Sequence, residues 1–257
     1  MIVSHEHKYI HVKTQKTAGT TTAVLLGQQL VSGDATLPID AEKEDITFPD
    51  GIVIKPTREL HGKQLKIDAH ADIYNILSFF NDTPNLFEYK IVANERNPWD
   101  RVVSLYYWHQ KLGRVPEDVT FKRFLYDRLA MDFGARTEYY YQDIPIADYV
   151  IRYEYLHDDM AELGRYLGLS KPLELGGLHF KGGVRKDKDY REMYDDQMAR
   201  YVEIMFSRTI TLFGYKFDDP YPTKEFKPLP NNQHMKRRVY RHAKRQLNPQ
   251  KQQQKAK

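Results

Sequence analysis

The stretch that decides the fold reads Tyr9-Ile-His-Val-Lys-Thr14, then Gln15-Lys-Thr-Ala-Gly-Thr-Thr-Thr22, then Ala23-Val-Leu-Leu-Gly-Gln-Gln-Leu30. Its first part is short, rich in β-forming residues and apolar at alternate positions, which predicts a strand. Its last part is typical of a helix. The chain therefore passes from a strand through a tight polar turn into a helix, which is the basic unit of an α/β fold.

The rest of the chain continues this alternation. Further strands are predicted at Tyr89-Lys-Ile-Val-Ala-Asn-Glu95 and Ala147-Asp-Tyr-Val-Ile-Arg152, and Asn97 before Pro98 is typical of a helix start. Helices are predicted over 69–80, 98–110, 120–131, 158–167 and 189–212. Strands that alternate with helices predict one α/β domain, residues 1–228, with a mainly parallel sheet flanked by helices.

The composition limits the possible functions. The 257 residues include no cysteine, which excludes disulfides, thiolate metal sites and thiol nucleophiles. No apolar run approaches the roughly 20 residues that a membrane span needs, and the first residues do not resemble a signal peptide. We therefore expect a cytoplasmic protein without a membrane partner.

The basic charge is concentrated at the C-terminus. From Leu229 onward the chain has nine Lys and Arg residues and no acid, so the remainder carries 30 basic against 35 acidic residues. The body is therefore about −5 and the tail +9. Because the tail ends in a low-complexity polar run, residues 229–257 are predicted to be disordered, and no nucleic-acid partner is expected for the folded domain.

The turn Lys16-Thr-Ala-Gly-Thr-Thr21 carries the first chemical signal. A helix that starts after such a turn presents backbone N–H groups and a partial positive charge to an anion. Gly19 permits close backbone approach, and Lys16 adds a mobile charge. The nucleotide-triphosphate P-loop instead places its lysine after the second glycine. By itself the motif is equally compatible with an ordinary tight turn.

The second signal is Glu95-Arg-Asn-Pro-Trp-Asp-Arg-Val-Val-Ser-Leu-Tyr-Tyr-Trp108. Arg96 is predicted at the end of a strand and Ser104 on the helix that follows, so the two side chains could hold one phosphate. Taken alone, Arg96 could equally pair with a carboxylate, and Ser104 could lie on a helix surface.

Together, the lysine-first turn and the R-N-P-W-D-R-x-x-S segment resemble the two nucleotide-binding elements of the sulfotransferases that use 3′-phosphoadenosine 5′-phosphosulfate (PAPS). The likeness is greatest to the carbohydrate-type and bacterial branch. It implies that the turn, including Thr17, Ala18, Thr20 and Thr21, holds the 5′-phosphosulfate, while Arg96 and Ser104 hold the 3′-phosphate. Gln15 stands where the family usually has proline.

The resemblance extends over roughly residues 8 to 219. His70-Ala-Asp-Ile-Tyr-Asn-Ile-Leu77 is similar to a "HATxREIL" helix of bacterial relatives, and Leu212-Phe-Gly-Tyr-Lys-Phe217 is similar to an "FGYxF" strand. The basic loop Lys181-Gly-Gly-Val-Arg-Lys186 stands where relatives close over the nucleotide. Arg185 and Lys186 are therefore implied as cofactor ligands, although a solvated basic turn is an equally good interpretation.

The chemistry needs a cation beside the leaving oxygen and, for a hydroxyl acceptor, a base. Lys16 is the candidate for the first role. His70 is preferred as the base, His61 is second and Glu59 third, and a capping or packing role for either histidine is the alternative. No metal is expected, because a sulfuryl group bears less charge than a phosphoryl group.

The predicted function is sulfuryl transfer from PAPS, with PAP as the product, to a hydroxyl or amine. A carbohydrate is one class of acceptor, and lipid, small alcohol and protein tyrosine also remain open, as does the oligomeric state. Two alternatives compete with this prediction. One is a P-loop-type small-molecule kinase, and the other is a sulfotransferase-like binding protein without catalysis.

Overall fold

The computed structural model describes residues 1–37, 52–60, 62–133, 138–176, 189–230 and 232–247 of the chain. The strands in these ranges are β1 (Ile2–Ser4), β2 (Tyr9–Val12), β3 (Ala35–Thr36), β4 (Ile52–Val53), β5 (Thr57–Leu60), β6 (Lys63–Lys66), β7 (Lys90–Glu95), β8 (Tyr140–Tyr141), β9 (Ile144–Pro145) and β10 (Tyr149–Arg152). The helices are α1 (Gly19–Gly27), α2 (Ile73–Phe79), α3 (Pro98–Lys111), α4 (Phe121–Phe133), α5 (Leu156–Leu167), α6 (Asp196–Met205), α7 (Ser207–Phe213) and α8 (Asn232–Leu247). None of the described helices is both long and apolar enough to cross a membrane.

The central sheet is mixed: five of its six strands run in one direction, as the predicted mainly parallel sheet requires, and β1 runs in the opposite direction. Its strand order is β10-β7-β2-β1-β3-β4. Strands β2, β7 and β10 are parallel, whereas β1 runs antiparallel to both β2 and β3. The reason is the short connection between β1 and β2, because two strands joined by a few residues can pair only in the antiparallel sense.

Helices cover both faces of this sheet, as the alternation of strands and helices predicts. Side chains of the parallel strands alternate between two apolar clusters, since successive residues of a strand point to opposite faces. Tyr9, Val92 and Ile151 pack with α1 and α5 on one face. Ile10 and Ala93 belong to the larger cluster on the other face, which includes residues of α2, α3, α4, α6 and α8.

The helix predictions are confirmed most closely where a capping residue marks the start. The side chain of Asn97 accepts hydrogen bonds from the N–H groups of Trp99 and Asp100, and Pro98 opens α3. Helix α2 begins at Ile73, after the capping Asp72, and not at residue 69. The single helix predicted over 189–212 is instead a 3₁₀ turn, Tyr190–Met193, followed by α6 and α7.

The predicted disorder of the basic tail is wrong for residues 232–247, which form α8. Its apolar residues recur at helical spacing, and Val239, Tyr240, Ala243 and Leu247 are buried against α2 and the 3₁₀ turn before β7 (Leu86–Glu88). The Lys236 ammonium donates to the backbone oxygen of Tyr89 and pairs with Asp148 at 2.8 Å. The prediction failed because the high charge of the segment concealed this narrow apolar stripe.

Candidate functional site

A single cleft of about 610 Å³ brings the two predicted motifs together at the carboxyl ends of β2 and β7. This is the edge at which open α/β sheets commonly bind ligands. The predicted site residues that line it are Lys16, Thr17, Ala18, Gly19, Thr20, Thr21, His70, Arg96 and Ser104. The cleft has the size of a small-molecule site, for which volumes of roughly 300–1,000 Å³ are usual.

The turn between β2 and α1 has an uncommon backbone conformation. Lys16 and Ala18 have positive φ angles of 62° and 65°, which non-glycine residues seldom adopt. A Cβ atom on Gly19 would lie 2.9 Å from Cγ of Lys13 and 3.0 Å from the backbone oxygen of Thr14. The turn is thus folded tightly against the end of β2, and only glycine fits at the first residue of α1.

Hydrogen bonds from three directions hold this turn in place. The Thr14 hydroxyl donates to the backbone oxygen of Asn94 at 2.6 Å. The Thr17 hydroxyl lies 2.6 Å from the Thr14 hydroxyl. Arg101 Nε donates to the backbone oxygen of Gln15 at 2.7 Å, and Arg96 donates to that of Lys16 at 3.2 Å. These bonds turn two carbonyl groups toward α3, while the N-terminus of α1 opens on the cleft.

Arg96 is paired with a carboxylate, as one of the two interpretations of the sequence allowed. Its Nε and one terminal nitrogen donate to Asp100, at 2.8 and 2.5 Å, and its guanidinium lies 3.9 Å from the ring centroid of Tyr153. With the bond to Lys16, three of its five N–H donors have partners. Among the described residues, the other two donors have none.

One stripe of α3 faces the cleft. Asp100, Ser104 and Trp108 follow each other at four-residue spacing and all three line the cleft, because residues i and i+4 share one helix face. The Lys16 ammonium lies 4.6 Å from the ring centroid of Trp108, within the range of a cation–π contact. Asp100 was not predicted as a site residue, although its spacing from Ser104 could have identified it.

A buried ionic network lies beneath the turn. Arg101 is 1% exposed and pairs with Glu95 at 3.1 Å and with Glu138. Glu95 also accepts hydrogen bonds from the backbone N–H of Arg96 and the hydroxyl of Tyr139. Burial, partly offset by Arg101, raises the pKa of Glu95 to about 7. This network fixes the guanidinium that holds the Gln15 carbonyl.

His70 lies on the wall of the cleft just before α2. Its ring Nδ1 is 2.9 Å from the backbone oxygen of Lys13, and since a carbonyl only accepts, Nδ1 is the donor in this bond. In the neutral ring Nε2 therefore carries the lone pair. The side chain is half-buried at the cleft surface, which is compatible with both a base and a packing role.

The other predicted residues do not join this cleft in the described structure. His61, Arg185 and Lys186 lie outside the described residues. Glu59 is exposed on β5 and does not line the cleft. Several lining residues that the sequence analysis did not predict as site residues lie on the segment after β10: Tyr153, Glu154, Leu156 and His157.

Comparison with known proteins adds little to this geometry. No family model matches the chain, and no solved structure matches it. A curated relative from Archaeoglobus fulgidus, described as an uncharacterized protein, is 29% identical over 110 residues, which are 41% of this chain and 85% of that protein. The function proposed below therefore rests on the mixed α/β fold and its cleft.

Proposed function

We propose that this chain is a sulfotransferase that transfers a sulfuryl group from PAPS to a hydroxyl or amine of its acceptor. One observation carries the proposal. The same cleft is lined by the lysine-first turn of residues 16–21 and by the pair Arg96 and Ser104, although Lys16 and Arg96 are 80 residues apart in sequence. On this proposal the β2–turn–α1 unit is a P-loop-like element without a magnesium site.

The turn would bind the 5′-phosphosulfate. The first N–H groups of α1 lack intrahelical acceptors, and the helix start favours negative charge. Lys16 reaches the cleft from the same turn and would stabilise negative charge on the bridging oxygen as the bond to sulfur breaks. Its stacking on Trp108 keeps the ammonium near the cleft wall.

Arg96 and Ser104 would bind the 3′-phosphate. Two N–H donors of Arg96 and the Ser104 hydroxyl are suited to a phosphate, and the pairing with Asp100 holds the guanidinium in one orientation. The same carboxylate also adds a negative charge close to the phosphate. We therefore expect Asp100 to limit affinity for the nucleotide while it fixes the geometry of Arg96.

His70 would act as the base. In the proposed step an acceptor oxygen forms a bond to sulfur, the bond from sulfur to the bridging oxygen breaks, PAP leaves, and the acceptor proton passes to Nε2 of His70. The bond from Nδ1 to Lys13 supports this role, because it holds the neutral ring in the tautomer with its lone pair on Nε2.

The first test is nucleotide selectivity measured by calorimetric titration. We expect PAP to bind at least about tenfold more tightly than AMP, because only PAP can engage Arg96 and Ser104. PAP should also bind more tightly than ATP. Equal affinity for PAP and AMP would contradict a 3′-phosphate site. Tighter, magnesium-dependent binding of ATP would favour the kinase alternative, and PAP binding without turnover would favour the binding protein.

The second test separates Lys16 from His70. Lys16→Ala should weaken nucleotide binding and lower turnover together, whereas His70→Ala should lower turnover by roughly a hundredfold and leave PAP affinity nearly unchanged. Lys171→Ala and His7→Ala, whose side chains do not line the cleft, are the matched controls. Normal turnover of His70→Ala would remove His70 as the base and leave His61 as the next candidate.

A further inference from the structure

Helix α8 has two faces with different roles. Its apolar face packs on the body of the protein, whereas its exposed face carries four arginines and two histidines: His234, Arg237, Arg238, Arg241, His242 and Arg245. We call this exposed set the arginine face. The whole helix contains no acidic residue.

The arginine face is concave rather than flat. All six residues line a pocket of about 340 Å³, which is closed on one side by Tyr141 and Gln142 of the β8–β9 hairpin. The Tyr141 hydroxyl lies 3.3 Å from Nδ1 of His242, and the Arg237 guanidinium lies 4.8 Å from the ring centroid of Phe87. Two of the six side chains are thus held in place by neighbouring aromatic residues.

The charge of this pocket is not balanced by the described part of the chain. Within those residues, no carboxylate lies within ion-pair distance of any of its four arginines. Arg237, Arg241 and Arg245 also follow each other at four-residue spacing, where like charges repel and destabilise a helix. Burial of the apolar face of α8 offsets this repulsion, and a bound anion would reduce it.

The shape and chemistry of the pocket define its ligand. Guanidinium groups bind phosphate and sulfate oxygens with two parallel hydrogen bonds, and a tyrosine hydroxyl and imidazoles add further donors. The combined charge of four guanidinium groups exceeds the charge of one phosphate. A ligand with at least two phosphate or sulfate groups therefore matches the pocket better. Arg237 and Arg241 are about 6 Å apart along the helix axis, as are Arg241 and Arg245.

We propose that the arginine face is a second anion-binding site, which takes a compact ligand with two or more phosphate or sulfate ester groups. It shares no lining residue with the main cleft. The His242 ring contacts Tyr74 of α2 at 5.8 Å between centroids, and α2 is the helix that follows His70 of the main cleft. The proposal does not depend on the reaction proposed for the main cleft.

The test is a titration with inorganic pyrophosphate, followed by NMR of the histidine side chains. The resonances of His234 and His242 report on the arginine face, whereas those of His70 report on the main cleft. We expect saturable shifts of His234 and His242. Arg238→Gln with Arg241→Gln should weaken pyrophosphate binding at this face at least about tenfold, since charge-assisted hydrogen bonds are lost.

A matched double variant, Arg123→Gln with Arg200→Gln, removes the same charge from exposed positions elsewhere and should leave the shifts unchanged. Arg238→Lys with Arg241→Lys keeps the charge but removes the bidentate geometry, and should bind more weakly than the wild type. Full affinity of this lysine variant would overturn the guanidinium recognition, and unaltered binding by the glutamine variant would overturn the site.

Two further titrations identify the source of the ester groups. One titration uses PAP, a nucleotide, and the other uses a disulfated disaccharide, a sulfated sugar. Saturable shifts of the His242 resonances with either ligand support the site. If only a long polyanion such as heparin or duplex DNA shifts His234 and His242, and pyrophosphate does not, the face is a surface for polymers and the compact-ligand proposal is wrong.

Discussion

The tight approach of the turn to β2 predicts an unusual result for Gly19→Ala. Alanine normally stabilises a helix relative to glycine, by up to about 1 kcal/mol. At Gly19, however, the added Cβ would lie 2.9 Å from Cγ of Lys13 and 3.0 Å from the backbone oxygen of Thr14. Lys13 is 4% exposed and Thr14 is held by its bond to Asn94, so neither neighbour can move freely.

Overpacking of this kind costs about 1–3 kcal/mol, which exceeds the gain in helix propensity. We expect a net loss of up to about 2 kcal/mol in the free energy of unfolding, and hence a Tm lowered by up to about 8 °C for a chain of this size. Because the turn must shift by a few tenths of an ångström, PAP affinity should also fall at least about fivefold.

Gly164→Ala is the matched control. Gly164 lies within α5, and a Cβ there would meet Leu173 atoms at 3.7 Å or more, which is ordinary contact. This change should stabilise the protein by about 0.4–1 kcal/mol and leave PAP affinity unaltered. Thermal unfolding and calorimetric titration measure both effects. A Tm that rises as much for Gly19→Ala as for Gly164→Ala would refute the close approach of the turn.

Two further predictions concern buried charge and the C-terminal helix. The pKa of Glu95 is raised from 4.5 to about 7, so the folded state keeps a proton that the unfolded chain releases; stability therefore falls by up to about 3 kcal/mol as pH rises through this interval. Glu95→Gln should remove that slope in urea unfolding at pH 5 and pH 8, and an unchanged slope would assign it to other groups. Truncation after Pro228 should lower the free energy of unfolding by several kcal/mol, because it removes the buried side chains of Val239, Tyr240 and Leu247, whereas truncation after Leu247 should leave it unchanged. An unaltered Tm after the longer truncation would mean that α8 contributes nothing to the fold.

The candidate anion-binding residues were predictable because they belong to local motifs. When apolar residues change from strand spacing to helical spacing across a glycine-containing turn, a strand, a turn and a helix must follow one another. The asparagine–proline pair fixes the start of α3. Residues 16–21, Arg96 and Ser104 were identified in this way. Pairing of Arg96 with a carboxylate was an open alternative in the sequence, and the structure shows that this carboxylate belongs to Asp100 on α3.

The direction of β1 and the position of α8 depended on tertiary packing. A three-residue strand carries too little pattern to be recognised, and the short connection to β2 then makes the sheet mixed. The basic tail resembles a disordered segment in composition, but a partner surface on α2 and the 3₁₀ turn before β7 buries its narrow apolar stripe. Neither partner is near α8 in sequence, so no local pattern could reveal the contact.

The sequence by itself determined the strand–turn–helix unit, the cap of α3 and the residues that could bind an anion, because each depends on neighbours within a few positions. Only the tertiary structure decided that Lys16, His70, Arg96 and Ser104 share one cleft, and that α8 presents its arginines around a pocket. Those arrangements arise from burial of apolar surface between distant segments, and the free energy of burial depends on the whole fold rather than on any local stretch.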